Sequence, residues 1–299
     1  MSDTEVNIGY RVFPLTRKIH KEEYPAVSPS RPALSQAGKT VLITGGSSGI
    51  GLEIARDFGR AGADRVIIVG RDQAKVDQAA EQLTRERDGS STTFEGRSCQ
   101  IADSDSIDKL WDNIDAEGIR IDVLVLNAAM TDQFGKMESL GWRSVWKAFE
   151  TNKYIVSVST SAIHDFPAAS YAPSYSLTKN SATLLLQQLA REFPSTDTQI
   201  VSFHPGAVLT QGAKGLGADE TTLPWDDGAR QVNLPASVAV WAASDEAAFL
   251  HGRFIWAPWD VEELGSGELR ELLDKDERFL RIGVHGLEDP EALKRSYVQ

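Results

Sequence analysis

Short apolar, β-branched runs recur along the chain, and between them apolar residues return every three or four positions. The runs at 40–44, 65–69, 92–99, 121–126, 154–159, 199–203 and 253–256 are short enough for strands. The segments at 50–61, 73–87, 106–114, 176–192 and 235–243 carry helical spacing instead, as with Ile50, Ile54, Phe58 and Ala61, or Val76, Ala80 and Leu83. Strands alternating with helices predict βαβ units. The pattern therefore predicts an α/β fold: a doubly wound, mostly parallel, seven-stranded sheet with helices on both faces. No linker or internal repeat interrupts the series, so residues 38–260 form one domain in this reading.

The flanks differ. Residues 1–37 read as an extended arm, because prolines at 25, 29 and 32 push the residues before them toward extended backbone. Residues 261–299 read as a charged tail with one helical segment at 264–273.

Composition narrows the function classes. The chain is 41% hydrophobic and 25% charged, an ordinary globular balance. A net charge of −12 argues against nucleic-acid binding. No apolar run reaches the roughly 18 residues of a membrane span, and no signal-peptide pattern opens the chain. Cys99 has no partner for an internal disulfide. Together these lead us to expect a cytoplasmic protein. The five histidines, at 20, 164, 204, 251 and 285, lack metal-ligand spacing, and no metal site is expected.

The first chemistry-bearing motif is Thr44-Gly45-Gly46-Ser47-Ser48-Gly49-Ile50-Gly51. It follows a predicted strand and opens a predicted helix. In that setting glycines allow a tight turn and a close approach to a pyrophosphate, which the free N–H groups of the helix start would bind.

This glycine spacing resembles that of the short-chain dehydrogenase/reductase family. Three further motifs carry the resemblance in the family's order. Asn127-Ala128-Ala129 looks like its Asn-Ala-Gly signature, with Ala129 replacing glycine. Tyr175 and Lys179 match its YxxxK. His204-Pro205-Gly206, continuing through Val208 to Thr210, resembles its Pro-Gly loop under the nicotinamide. The resemblance covers roughly residues 38–259, and its last part is similar to a subgroup common in filamentous fungi. It implies a Rossmann-type fold and a nicotinamide dinucleotide cofactor. The cofactor residues implied are Gly45, Ser47, Ser48, Gly49, Ile50, Gly51, Arg71, Gln100, Asn127, Ala128, Ala129, Tyr175, Lys179, Pro205, Gly206, Val208 and Thr210. Gln100 stands where the family places an aspartate against adenine; its amide can still bond the base.

The second strand leads into Gly70-Arg71 rather than a carboxylate. A carboxylate there would bind ribose hydroxyls and repel a 2′-phosphate; Arg71 could bond that phosphate instead. NADP(H) is therefore favoured over NAD(H), although Asp72 follows directly.

The resemblance also implies the catalytic set Tyr175, Lys179, Thr160 and Asn152. Tyr175 and Lys179 lie on one face of a helix. A neighbouring ammonium is expected to bring the phenol's pKa toward neutrality, which suits proton transfer to a developing alkoxide. Thr160 aligns with the family's serine, with Ser159 or Ser161 as alternatives. Lysine in the family also holds the nicotinamide ribose. Asn152 aligns with the family's helix asparagine, but about twenty residues of helix are missing between it and the fifth strand. A six-residue strand covers about 20 Å, whereas a two-residue connection reaches about 7 Å. Either Asn152 leaves the site or the fifth strand is displaced. The loss also weakens the expectation of a homodimer.

The leading expectation is hydride transfer between NADP(H) and a small carbonyl or secondary-alcohol substrate. The alternative is a dinucleotide-binding protein with impaired catalysis. A relative using a nucleotide-sugar substrate is disfavoured by the glycine spacing and the lack of a large C-terminal domain. Residues 207–224, rich in glycine and small polar residues, read as a lid.

Overall fold

The computed structural model describes residues 14–87, 91–101, 103–128, 152–165, 173–210, 214, 219 and 232–283. Seven parallel strands form one sheet in the order β3-β2-β1-β4-β5-β6-β7. They are β1 (Thr40–Thr44), β2 (Arg65–Gly70), β3 (Thr93–Ser98), β4 (Val123–Leu126), β5 (Tyr154–Val158), β6 (Gln199–His204) and β7 (Arg253–Trp256). The strand order reverses between β1 and β4, which opens a crevice at their carboxyl ends.

The inner strands β1, β2, β4 and β5 read as largely apolar runs because both faces of the sheet are covered, whereas the edge strand β3 carries Glu95 and Arg97. On β1, Val41 and Ile43 belong to one core cluster and Leu42 to the other. The first face packs α1 (Gly49–Arg60), α2 (Gln73–Glu86) and α5 (Asn233–Ala242), through Ile54, Phe58, Leu83 and Val240. The second packs α3 (Ser104–Ala116) and α4 (Pro173–Glu192), through Trp111, Ile114, Leu186 and Leu189. No described helix is long and apolar enough to cross a membrane.

The described part of the N-terminal segment, residues 14–37, departs from the extended arm expected of it. Pro25–Val27 and Pro32–Leu34 are 3-10 turns, each begun by its proline. The residues before the prolines, Tyr24, Ser28 and Arg31, are extended as expected. Tyr24, Val27 and Leu34 are buried in the core beside α1 and α5, so apolar burial folds the segment onto the domain. It is also clasped to the loop after β7. Ile19 bridges Trp259, and His20 bonds the Asp260 carboxylate at 2.7 Å.

The described part of the C-terminal segment, residues 261–283, holds two helices where one was expected. These are α6 (Val261–Leu264), capped by the Asp260 side chain, and α7 (Gly267–Lys275). Gly265 and Ser266 divide them, and Gly267 has φ +57°.

Candidate active site

The glycine loop is tied down from β4. The Thr44 hydroxyl accepts the backbone N–H groups of Asn127 and Ala128, each at 3.1 Å. The Asn127 side-chain amide donates to the carbonyls of Thr44 (3.0 Å) and Gly45 (3.2 Å). Two glycines are sterically required. Gly45 has φ +67°, and a Cβ there would lie 2.9 Å from the Ala128 Cα. A Cβ on Gly51 would lie 2.3 Å from the Gly45 carbonyl. Ser48 begins α1 without a side-chain cap, so the first N–H groups of Gly49, Ile50 and Gly51 remain for a ligand. The residues thus fit a pyrophosphate by shape and by chemistry. Ala129 lies outside the described residues.

The far end of the crevice carries the cation. Arg71 is exposed at the end of β2 and forms no ion pair among the described residues. The Ser47 hydroxyl lies 3.7 Å from where a Gly70 side chain would begin, on the same side of the loop. Asp72 is committed elsewhere: it caps α2 by accepting from the Lys75 N–H (3.3 Å), and its other oxygen faces the Lys75 ammonium at 3.9 Å. Gln100 is exposed after β3, its backbone N–H held by Ser106 at 2.9 Å.

The loop after β6 folds back toward the glycine loop. Gly206 has φ +92°, and the Thr210 side chain comes within 3.5 Å of a Cβ built on Gly49. The Thr210 N–H bonds the Val208 carbonyl at 2.9 Å. Pro205, Gly206, Val208 and Thr210 are thereby gathered beside the crevice. Most of the segment read as a lid lies outside the described residues.

Thr160, Tyr175 and Lys179 meet where the end of β5 faces the start of α4. The Thr160 hydroxyl faces the Tyr175 phenol and favours its ionised form. It also caps the 3-10 turn Ser161–Ile163 by accepting from the Ala162 N–H at 3.3 Å. Its neighbours are otherwise placed. Thr183 gives its proton to the Lys179 carbonyl at 2.8 Å, so buried Ser159 donates to Thr183 at 2.7 Å. Ser161 is buried inside the turn.

The Lys179 ammonium lies 5.9 Å from the Tyr175 ring centroid and donates to the Val158 carbonyl at 2.7 Å. Burial pushes its pKa down to about 8. The phenol is not brought toward neutrality as expected. Burial pushes its pKa up, and the Thr160 hydroxyl offsets this only in part.

Asn152 is not part of this group. β5 keeps its normal register, with Tyr154 opposite Val123 on β4 and opposite Gln199 on β6. Asn152 precedes that strand and Thr160 follows it, which separates them by roughly 25 Å of extended chain. Asn152 is buried at the amino edge of the sheet, its carbonyl accepting from Thr198 at 3.0 Å. The sheet's ladder outweighs the one side-chain position, so the short connection carries Asn152 out of the site.

Sequence reasoning gave no role to a cluster beside Thr160. The Trp256 indole N–H donates to His164 Nε2 at 3.1 Å, and the Trp256 ring stands edge-on to His204 at 4.6 Å. An indole only donates, so His164 Nε2 carries no proton in this arrangement. Burial, with His164 nearby, pushes the His204 pKa down to about 3. The 3-10 turn brings His164 back over the sheet, and Asn180 fixes it by donating to the Ile163 carbonyl at 3.1 Å. Only the position of His164, four residues after Thr160, hinted at this. Among the described residues no three metal-ligating side chains are grouped.

Comparison with known proteins agrees with this geometry. A family model described as short chain dehydrogenase matches residues 39–166. A short chain dehydrogenase/reductase of Claviceps purpurea is 34% identical, with 90% of this chain and 94% of the relative covered. The short chain dehydrogenase/reductase AacuD of Aspergillus aculeatus is 32% identical, with 90% and 96% covered. The matched stretch of 292 residues in the first is longer than the 90% of this 299-residue chain that it takes up, so that relative carries sequence with no counterpart here. Among solved structures, L-sorbose reductase of Gluconobacter frateurii, in complex with NADPH and L-sorbose, superposes with a TM-score of 0.62 at 21% identity, over 75% of this chain and 96% of that one. The fold, the sequence relatives and the order of motifs together show that the chain belongs to the short-chain dehydrogenase/reductase family of oxidoreductases.

Proposed function

We propose that the protein is an NADP(H)-dependent oxidoreductase that interconverts a small carbonyl compound and its secondary alcohol. The observation that carries this reading is the meeting of Thr160, Tyr175 and Lys179 at the carboxyl end of the sheet, beside a glycine cradle. Gly45, Ser47, Ser48, Gly49, Ile50 and Gly51 would hold the pyrophosphate. Asn127 and Ala128 would keep that loop in shape. Arg71, with Ser47, would bind the 2′-phosphate, and Gln100 would face the adenine. Pro205, Gly206, Val208 and Thr210 would border the nicotinamide. The nicotinamide, when bound, supplies or accepts the hydride.

The chain's own residues handle the proton and the oxygen. Thr160 polarises the substrate carbonyl by donating to its oxygen. Tyr175 gives the proton as alkoxide develops, or takes it in the reverse direction. Lys179 leaves the Val158 carbonyl for the ribose hydroxyls and for the phenol oxygen, whose negative form its charge favours. Asn152 takes no part.

A second reading is favoured by one observation, the removal of Asn152 from the site. In it the protein binds the dinucleotide but turns over poorly.

One experiment separates the readings. Purified protein is titrated with NADPH and with NADH by nicotinamide fluorescence, and aldehydes and diketones are then added. Tighter NADPH binding, with oxidation that disappears in Tyr175→Phe, is expected. Binding without consumption would favour the second reading, and no binding of either dinucleotide would overturn both.

A further inference from the structure

A cluster of unpartnered donors lies at the other end of the catalytic helix. Gln187 is only 4% exposed. Its Oε1 accepts the Ile282 N–H at 2.9 Å, which fixes how the amide is turned. Among the described residues its Nε2 has no hydrogen-bond partner, and the buried Nε of Arg281 has none either.

The two groups belong to one locality. Arg281 Nη2 lies 3.2 Å from where a Cβ on Gly252 would stand, and the Ala190 methyl lies 2.8 Å from the same point. Gln187 precedes Ala190 by one turn of α4, and Arg191 follows it. Arg191 is exposed, forms no ion pair among the described residues, and lies close enough for its charge to oppose that of Arg281. Leu280 adopts φ +61°, a costly conformation for leucine, just before Arg281, while its carbonyl accepts from Phe254 at 2.9 Å.

Among the described residues the neighbouring charges leave these donors unsatisfied. Arg253 turns its guanidinium to the carbonyls of Leu273, Asp276 and Phe279. Glu277 is within electrostatic reach of Arg281 but forms no ion pair among the described residues. The negative end of the α4 dipole would favour Arg191, but it does not account for Gln187 Nε2 or Arg281 Nε. Two guanidinium groups and a buried amide N–H are all donors.

We propose that Gln187, Arg191 and Arg281 form a binding site for a phosphate-type oxyanion, separate from the dinucleotide site. The donors come from three separate side chains, two of them one turn apart on α4 and the third beside Ala190. A tetrahedral oxyanion offers acceptors in several directions, whereas a planar carboxylate suits a single guanidinium fork. The site begins about 18 Å along α4 from Tyr175, at a rise of about 1.5 Å per residue.

The test is calorimetric titration of the full chain with inorganic phosphate, at constant ionic strength set by chloride. We expect a saturable event, distinct from any at the glycine loop, that is weakened at least about tenfold in Arg281→Gln and in Arg191→Gln, and kept in Arg71→Ala. Arg191 is exposed, so its variant carries the test even where Arg281→Gln folds poorly. Acetate binding as tightly as phosphate would overturn the oxyanion class. Absence of saturable binding, or binding that survives Arg191→Gln but is lost in Arg71→Ala, would overturn the site. None of these outcomes depends on turnover.

Discussion

The Lys179 ammonium donates to the carbonyl of Val158, the last residue of β5, at 2.7 Å. This bond ties α4 to the strand that leads into Thr160. It does not repay the burial of a charge, because the lysine pKa falls to about 8. Below pH 8 the lysine is charged in both the folded and unfolded chains, so the fold carries the whole cost. Between pH 8 and the unfolded value of 10.5 only the unfolded chain keeps the proton, and stability from this group rises with pH. Lys179→Met is expected to raise stability at pH 7 by at most about 3 kcal/mol and to abolish turnover. Thermal unfolding from pH 7 to 10.5 checks this: the gap between variant and parent closes as pH rises.

Thr160, rather than Ser159, holds the hydroxyl that reaches Tyr175. Thr160→Val is expected to lower kcat by about 10²- to 10³-fold, while Thr160→Ser retains activity. Ser159→Ala removes a donor already engaged by Thr183 and leaves kcat near the parent value. Steady-state kinetics of the three variants decides the assignment, and an inactive Ser159→Ala would reverse it.

Arg71 is free of ion pairs among the described residues, while Asp72 is engaged by Lys75. Arg71→Ala should weaken NADPH binding by about ten- to a hundredfold and leave NADH binding nearly unchanged. Fluorescence titration measures both. Equal losses would mean that Arg71 reads no 2′-phosphate.

Asp57 on α1 is fully buried, paired with Arg60 at 2.8 Å and bonded by the Ser237 hydroxyl at 2.9 Å. Burial, above all, pushes its pKa up to about 7. Between pH 4 and 7 the folded chain therefore holds a proton that the unfolded chain has lost, and stability from this group declines as pH rises. The decline amounts to about 4 kcal/mol at most. Denaturant midpoints across that range should fall less steeply in Asp57→Asn than in the parent.

Tyr24 serves as a joint between the N-terminal segment and the loop after β7. Its hydroxyl donates to the Trp259 carbonyl at 3.2 Å and accepts the Val261 N–H at 2.9 Å, while its ring stacks on His20 at 3.5 Å. Tyr24→Phe keeps the stack and strands the Val261 N–H, at an expected cost of about 1–3 kcal/mol. A lower urea midpoint with an unchanged m-value would report this loss.

Much of the fold could be read locally. A strand covered on both faces must be apolar along its whole length, so β1, β2, β5 and β6 announce themselves as runs. A helix packed on one face repeats its apolar residues, as α1 does with Ile54 and Phe58. Glycines at 45 and 51 stand out because the backbone there admits nothing larger. The spacing of Tyr175 and Lys179 sufficed to put both on one face of α4.

Other features depend on which distant segments meet. The sequence alone determined the α/β class, the glycine cradle and the Tyr175–Lys179 pair, because each follows from contacts within a few residues of chain. It also exposed the conflict between Asn152 and the fifth strand, since chain length limits reach. Only the tertiary structure decided that conflict: the ladders to β4 and β6 hold β5 in register, and Asn152 yields. Tertiary packing likewise selected Thr160 by occupying Ser159, buried the N-terminal segment and brought Arg281 back to Gln187. Those outcomes depend on burial and hydrogen bonding between residues far apart in the chain, which no local pattern records.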